Sequence, residues 1–343
     1  MLDRRKLKIL QAIIDDYIMT ASPVGSRTIS KRPDVGLSSA TIRNEMSDLE
    51  ELGYLEQPHT SAGRIPSDKA FRLYVNKMMT GANLSSDEIR FINEHIYRRA
   101  SGIESVIGQT AELLSEMTSY TSMVLTPELR GVRLRRVQIV GLNDTTAILV
   151  VVTDAGLTKN AYIRLPYPLK PEVLEAISSR LTQVLYNKRI MNVTAAQITD
   201  VLLDYGDNLD FVSSIMGALE RNLSSSADNV QLYGTKNLLL HPEYSSVEKA
   251  RQLLEVFEEK QALYNVLSHA TDVEFSITIG HENETPTMKD CSIVTMTYRA
   301  GDMPIGSMGV IGPTRMEYAK VLALMRHVGQ SLSDALTNML KED

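Results

Sequence analysis

Between residues 3 and 66 the sequence sets three helix-period segments and then a short strand–tip–strand unit, each closed by a turn signal. Few folds accept that order. In segment 3–19, Leu7, Leu10, Ile14, Tyr17 and Ile18 fall within about 80° of arc at helical spacing, a narrow stripe that one packed face can bury. Ser22-Pro-Val-Gly25 stops this helix, a short second one runs from Ser26 to about Lys31, and Pro33-Asp-Val-Gly36 makes the next turn. The third begins near Ser38, a good N-cap residue, and ends at Gly53, which suits a C-terminal cap. Tyr54-Leu55-Glu56 then reads as a strand, Gln57 to Gly63 as a polar tip and Arg64-Ile65-Pro66 as the return. Three helices and a hairpin, with a short second helix and turn inside, predict a winged helix-turn-helix.

A wheel of the third helix separates two chemistries. Ile42, Met46 and Leu49 share the core side; Ala40, Arg43, Asn44 and Ser47 lie on the other. Arg matches the guanine O6/N7 pair and Asn the adenine N6/N7 pair, and a small residue beside them permits close approach to base edges. Arg27, Thr28 and Lys31 on the second helix can position phosphates, and Ser38, Ser39 and Thr41 at the third helix's start are further candidates for DNA contact. The tip offers His59, Thr60, Ser61, a glycine that supplies flexibility, and Arg64, which could enter a minor groove or hold a phosphate. Arg4, Arg5, Lys6 and Lys8 read first as a solvated helix face and second as phosphate contacts.

Charge bears on this reading. The chain of 343 residues has a net charge of −6, which argues against nucleic acid as a partner. Residues 1–80, however, carry 12 Lys/Arg against 10 Asp/Glu, whereas the rest carries 24 against 32. A weakly basic module on an acidic body favours selective over indiscriminate DNA binding, because phosphate attraction alone is non-specific. A single cysteine, Cys291, points to a reducing compartment, and no apolar run approaches a membrane span. A cytoplasmic protein is expected.

Beyond residue 80, Ser85-Ser-Asp-Glu88 reads as a capping box that opens a helical stretch to about Met117. Segments 132–140, 145–153 and 157–165 read as strands, 168–228 as mainly helical, 230–240 as strand-like and 246–268 as a helix. Strands at 273–280, 291–299 and 303–311 precede a last helix at about 315–340. The fold class is α+β and multidomain: 1–80 the winged helix, 85–167 with 270–343 one α+β domain in two segments, and 168–269 a largely helical insert. Thr314-Arg-Met-Glu317 reads as a further capping box, with Arg315 either assisting an anion site or, preferably, in an internal ion pair.

Six histidines are scattered without ligand-like spacing, and there is no Walker loop, dinucleotide fingerprint or nucleophile elbow. His281-Glu-Asn-Glu284 reads as a polar turn, and Cys291 as a buried small hydrophobe. No catalytic residue, metal or cofactor is expected. Two rival functions stay open: a regulator whose α+β domain binds a small molecule, and an enzyme carrying a DNA-binding tail.

Several stretches, Arg5–Tyr17, Pro23–Thr28, Ser38–Met46, Leu49–Leu55, the wing His59–Ser67, and at the other end Ile279–Asn283 and Gly309–Tyr318, together resemble the heat-inducible transcription repressor HrcA family. His281 stands where the family pattern is commonly more acidic. The resemblance implies a repressor of chaperone operons that binds double-stranded DNA at an inverted-repeat operator (CIRCE) as a homodimer. It also implies a GAF-like α+β domain, an inserted dimerisation domain, and activity sustained by the chaperonin GroEL and lost on heat stress. It implies no membrane association, and a small-molecule ligand is not expected.

Overall fold

The apolar stripe of residues 3–19 becomes helix α1 (Arg4–Thr20) in the computed structural model, which describes residues 2–59, 62–97, 103–126, 133–154, 158–205, 209–223, 229–268, 274–300 and 303–339. Asp3 caps α1 by accepting the Lys6 N–H at 2.8 Å, and Ala21 ends it in the left-handed region at φ 52°. Helices α2 (Ser26–Ser30) and α3 (Ser39–Glu51) follow, then β1 (Leu55–Glu56) antiparallel to β2 (Ile65–Pro66). Ile9, Leu10, Ile13, Ile29, Ile42, Leu49 and Leu55 are buried to within 1%. Each contributes about 1.5–3 kcal/mol, and together they bind α1, α2, α3 and the wing around one core.

Ser67 caps α4 (Asp68–Leu73), which passes into a π-helical turn at Tyr74–Met78. The capping box at Ser85 forms: Ser85 Oγ accepts the Glu88 N–H at 3.2 Å, and the Glu88 carboxylate accepts the Ser85 N–H at 2.8 Å. The single helical stretch expected to Met117 is two helices, α5 (Ser86–Tyr97) and α6 (Ile103–Thr118).

A five-stranded antiparallel sheet is the centre of the body. Its order is β7 (Val230–Tyr233), β3 (Thr121–Leu125), β10 (Met303–Pro313), β9 (Cys291–Ala300), β8 (Phe275–Ile279). Helices α6 and α12 (Tyr318–Met339) cover one face, where Val124, Val294, Met308 and Val310 join the larger core. The other face, with Met123, Leu125, Ile293 and Ile311, packs against α10 (Val247–Glu258) and α11 (Lys260–Ser268).

A second sheet of three antiparallel strands, β4 (Leu134–Gly141), β5 (Thr146–Thr153) and β6 (Thr158–Arg164), stands apart. Helix α7 (Pro171–Leu185) packs on β4 and α9 (Leu209–Leu223) on β6, with α8 (Ala195–Leu202) touching both helices. This corrects the expected partition. Residues 132–165 do not share a sheet with 270–343, and 230–268 lie on the main sheet rather than in the insert. The inserted unit, built from β4 to α9, sets three helices against this three-stranded sheet. Periodicity identifies a strand but not its partner, and the partner decides the layer.

The head, residues 2–78, is seated on the body through its first and last helices. Tyr17 packs on Phe71 and Phe71 on Tyr318, with centroids 6.4 and 6.2 Å apart. Arg315 pairs with Glu243 and donates from Nη1 to the Ile18 carbonyl at 2.9 Å. Arg72 pairs with Glu282 and donates to the Ile277 carbonyl at 2.7 Å. Asp68 accepts the His281 backbone N–H at 2.9 Å and lies 2.7 Å from its ring Nδ1. Gly280, at φ +56°, lets this happen: a Cβ there would overlap the Asp68 carboxylate. The polar turn at 281–284 is therefore a seat for α4.

Candidate nucleic-acid interface

Helix α3 presents the two faces that its sequence dictates. Ser38 caps it, accepting the Thr41 N–H at 3.1 Å, so one of the orphan donors of the first turn is satisfied locally. Ile42, Met46 and Leu49 are buried, while Ala40, Arg43, Asn44 and Ser47 are exposed on the opposite side. Among the described residues, neither Arg43 nor Asn44 has a side-chain partner within the chain. Leu52 closes the helix and Gly53 turns the chain at φ +74°.

The flanking residues divide by their engagement. Arg27, Thr28 and Lys31 on α2 are exposed. Ser39 is half-buried, its hydroxyl 3.0 Å from that of Ser26, a contact that fixes α2 against α3. The Thr41 hydroxyl lies 2.9 Å from Ser38 Oγ. Ser38, Ser39 and Thr41 thus spend side-chain hydrogen bonds on shaping the helix start. His59 is exposed at the wing; Thr60 and Ser61 lie outside the described residues.

Two expectations about the wing change. Arg64 is not a free cation: Glu50 accepts from its Nε at 2.8 Å and from its Nη2 at 2.7 Å, which ties the returning strand to α3. Gly63 is required by space, not flexibility, because a Cβ would sit 2.5 Å from the Val24 carbonyl oxygen, beside the antiparallel bridge of Val24 with Arg64.

The basic cluster at the start of α1 also has a different part. Glu45, nearly buried on α3, accepts from Lys6 Nζ at 2.7 Å and Arg5 Nη1 at 3.3 Å, and Lys6 also pairs with Asp48 at 2.8 Å. Hydrogen bonds to Asp48 and then Glu45 hold the Lys6 ammonium above its usual pKa. Two carboxylates of α3 are thereby neutralised by α1. Sequence reasoning passed over Glu45. The available signal was an acid beside Met46 on the core side, which needs a cation partner.

Burial pushes the Cys291 thiol up to about 11, and its sulfur lies 3.2 Å from the Tyr244 hydroxyl. Arg315 occupies the internal pair with Glu243, and its neighbouring capping box does not form, because the Glu317 N–H donates to the Tyr120 hydroxyl at 3.3 Å. Among the described residues, no group of three or more His, Cys, Asp or Glu is placed to hold a metal, and no helix is long and apolar enough to cross a membrane.

Comparison with known proteins agrees with this geometry over the whole length. The profile of the HrcA protein C terminal domain matches residues 104–322. The heat-inducible transcription repressor HrcA of Acetivibrio thermocellus is 41% identical over 345 residues, covering all of this chain and 98% of that protein. Its namesake from Brevibacillus brevis is 40% identical over 342 residues, with both chains fully covered. A solved structure described as a hypothetical protein at 2.2 Å resolution superposes with a TM-score of 0.67 at 26% identity, over 99% of this chain and 100% of its own. With a profile match across most of the body and about 40% identity to these repressors over the full length, the chain belongs to the HrcA family of heat-inducible transcription repressors.

Proposed function

We propose that this chain represses chaperone operons by binding an inverted-repeat CIRCE operator as a homodimer. The observation that carries the reading is the division of α3, with Ile42, Met46 and Leu49 anchoring it while Arg43, Asn44 and Ser47 face solvent. Arg43 reads guanine, Asn44 reads adenine, and Ala40 and Ser47 let the helix approach. Arg27, Thr28 and Lys31 hold phosphates on one flank and His59 on the other. Arg64 acts through Glu50, fixing the wing against the reading helix, and reaches DNA only by leaving that pair.

A twofold dimer presents two such helices to two half-sites, which matches the symmetry of an inverted repeat. Occupied DNA excludes polymerase. The family likeness adds the regulatory arm: GroEL keeps the repressor competent, and heat diverts chaperonin to unfolded clients. Footprinting across the chaperone promoters of the source organism, with and without chaperonin, tests both parts. The expected result is protection of an inverted repeat that broadens in occupancy when chaperonin is added. Absence of any protected repeat defeats the proposal.

A further inference from the structure

The inserted unit concentrates positive charge at one place that operator recognition does not use. Arg133, Lys188 and Arg189, with Asn187 and Asn192, line an open depression of about 390 Å³. No acid lines it, although the body as a whole is acidic. Arg133 and Arg189 face each other across an isolated antiparallel bridge, an arrangement that sets like charges side by side at a cost. Backbone irregularities build it. Asn187 stands in the left-handed region at φ 62°, and its N–H donates to the Leu134 carbonyl at 2.8 Å while the Leu134 N–H donates to the Lys188 carbonyl at 2.9 Å. A register shift at Leu134/Arg136 turns both Arg135 and Arg136 outward on β4, so two further cations stand beside the depression in sequence.

The cations are not consumed internally. Among the described residues, Arg133, Lys188 and Arg189 form no ion pair; Arg133 Nη1 donates to the Asn187 carbonyl at 2.9 Å, and the Asp154 carboxylate accepts the Arg133 backbone N–H rather than its guanidinium. Such a site asks for a ligand with several negative charges and oxygen acceptors close together.

We propose that this depression binds the phosphate chain of a small polyphosphorylated molecule. The two guanidinium forks take phosphate oxygens bidentately, Lys188 adds a point charge, and the Asn192 amide supplies a neutral donor. A concave seat of this size suits a short phosphate chain, whereas a duplex backbone would need a track of cations extending beyond it. The sequence carried no expectation of a small-molecule ligand, because the five residues are split between two segments about 55 positions apart.

The experiment is calorimetric titration of the full chain with tripolyphosphate, with ATP, and with a short random duplex, at physiological salt. Tripolyphosphate and ATP bind at one site per chain. The Lys188→Gln/Arg189→Gln double variant weakens both by about tenfold or more, Lys188→Arg/Arg189→Lys retains them, and Arg43→Ala leaves them unchanged. Each variant alters exposed or half-buried side chains, and its thermal midpoint without ligand serves as the folding control. No binding by the unaltered chain, or equal binding by the Gln variant, overturns the proposal. So does a duplex affinity that falls in the Gln variant while tripolyphosphate binds neither protein, which would make the patch a nucleic-acid track. Loss of operator binding alone leaves this site untouched, so the two readings fail separately.

Discussion

At the scale of single residues, the molecule separates groups that hold the fold from groups left available. Arg43 is exposed and, among the described residues, unpaired, whereas Arg5, Lys6 and Arg64, equally basic in sequence, are each engaged by a carboxylate of α3. Arg43→Ala is therefore expected to cost about 1–3 kcal/mol on operator DNA and little on random DNA, measured by fluorescence anisotropy. Equal losses on the two would make Arg43 a phosphate contact. Glu88 gives a pH signature. The Lys320 ammonium, then the backbone and hydroxyl of Ser85, lower its carboxyl from the ordinary 4.5 to about 2. A depressed carboxyl stabilises the fold above its unfolded pKa and loses that contribution as the pH falls through its folded one. The gap in urea midpoint between the unaltered chain and Glu88→Gln should close as the pH drops from 4.5 to 2. A gap that stays constant would show that the Lys320 pair does not carry the effect.

At the scale of elements, what could be read from the sequence was whatever local chemistry encloses. The ends of α1 and α3 fall within two residues of the expected positions, and at α3 Ser38 and Gly53 mark them. Strand β3 escaped notice: all five of its residues are buried, with helices on both faces, so the alternation that reveals a strand is absent. By contrast β4 and β5 alternate visibly, since one face of their sheet is covered and the other is not. The start of α12 was misplaced because Tyr120, nearly 200 positions away, takes the N–H that a local cap would have taken. The exposure of Arg43, Asn44 and Ser47 on α3, and of Arg27 and Thr28 on α2, was legible from the helical pattern. Partnerships across the fold, such as Glu50 with Arg64, were not. The cap of α3 offers a test at this scale. Ser38→Ala should lower stability by about 1 kcal/mol in urea unfolding and weaken operator binding through a frayed helix start. Unchanged stability would mean that Thr41 keeps its position without the cap.

At the scale of the whole molecule, the head and the body meet through charged and aromatic contacts rather than one continuous helix. Glu282→Gln removes the charge opposite Arg72 at this junction, where both groups are about one-third exposed. Hydrogen exchange in α4 should quicken by roughly fivefold, an effect near 1 kcal/mol that solvent screening keeps small. Exchange as slow as in the unaltered chain would show that the aromatic contacts of Phe71 alone hold the seat. The bare backbone at Gly280 sets a wider limit. With the Asp68 carboxylate filling the room a side chain would need, the part that reads DNA and the part that surrounds the main sheet are keyed to one another by an empty position. Heads exchanged between relatives will work only where the recipient body keeps that vacancy, so a chimera's success turns on a residue far in sequence from α2, α3 and the wing.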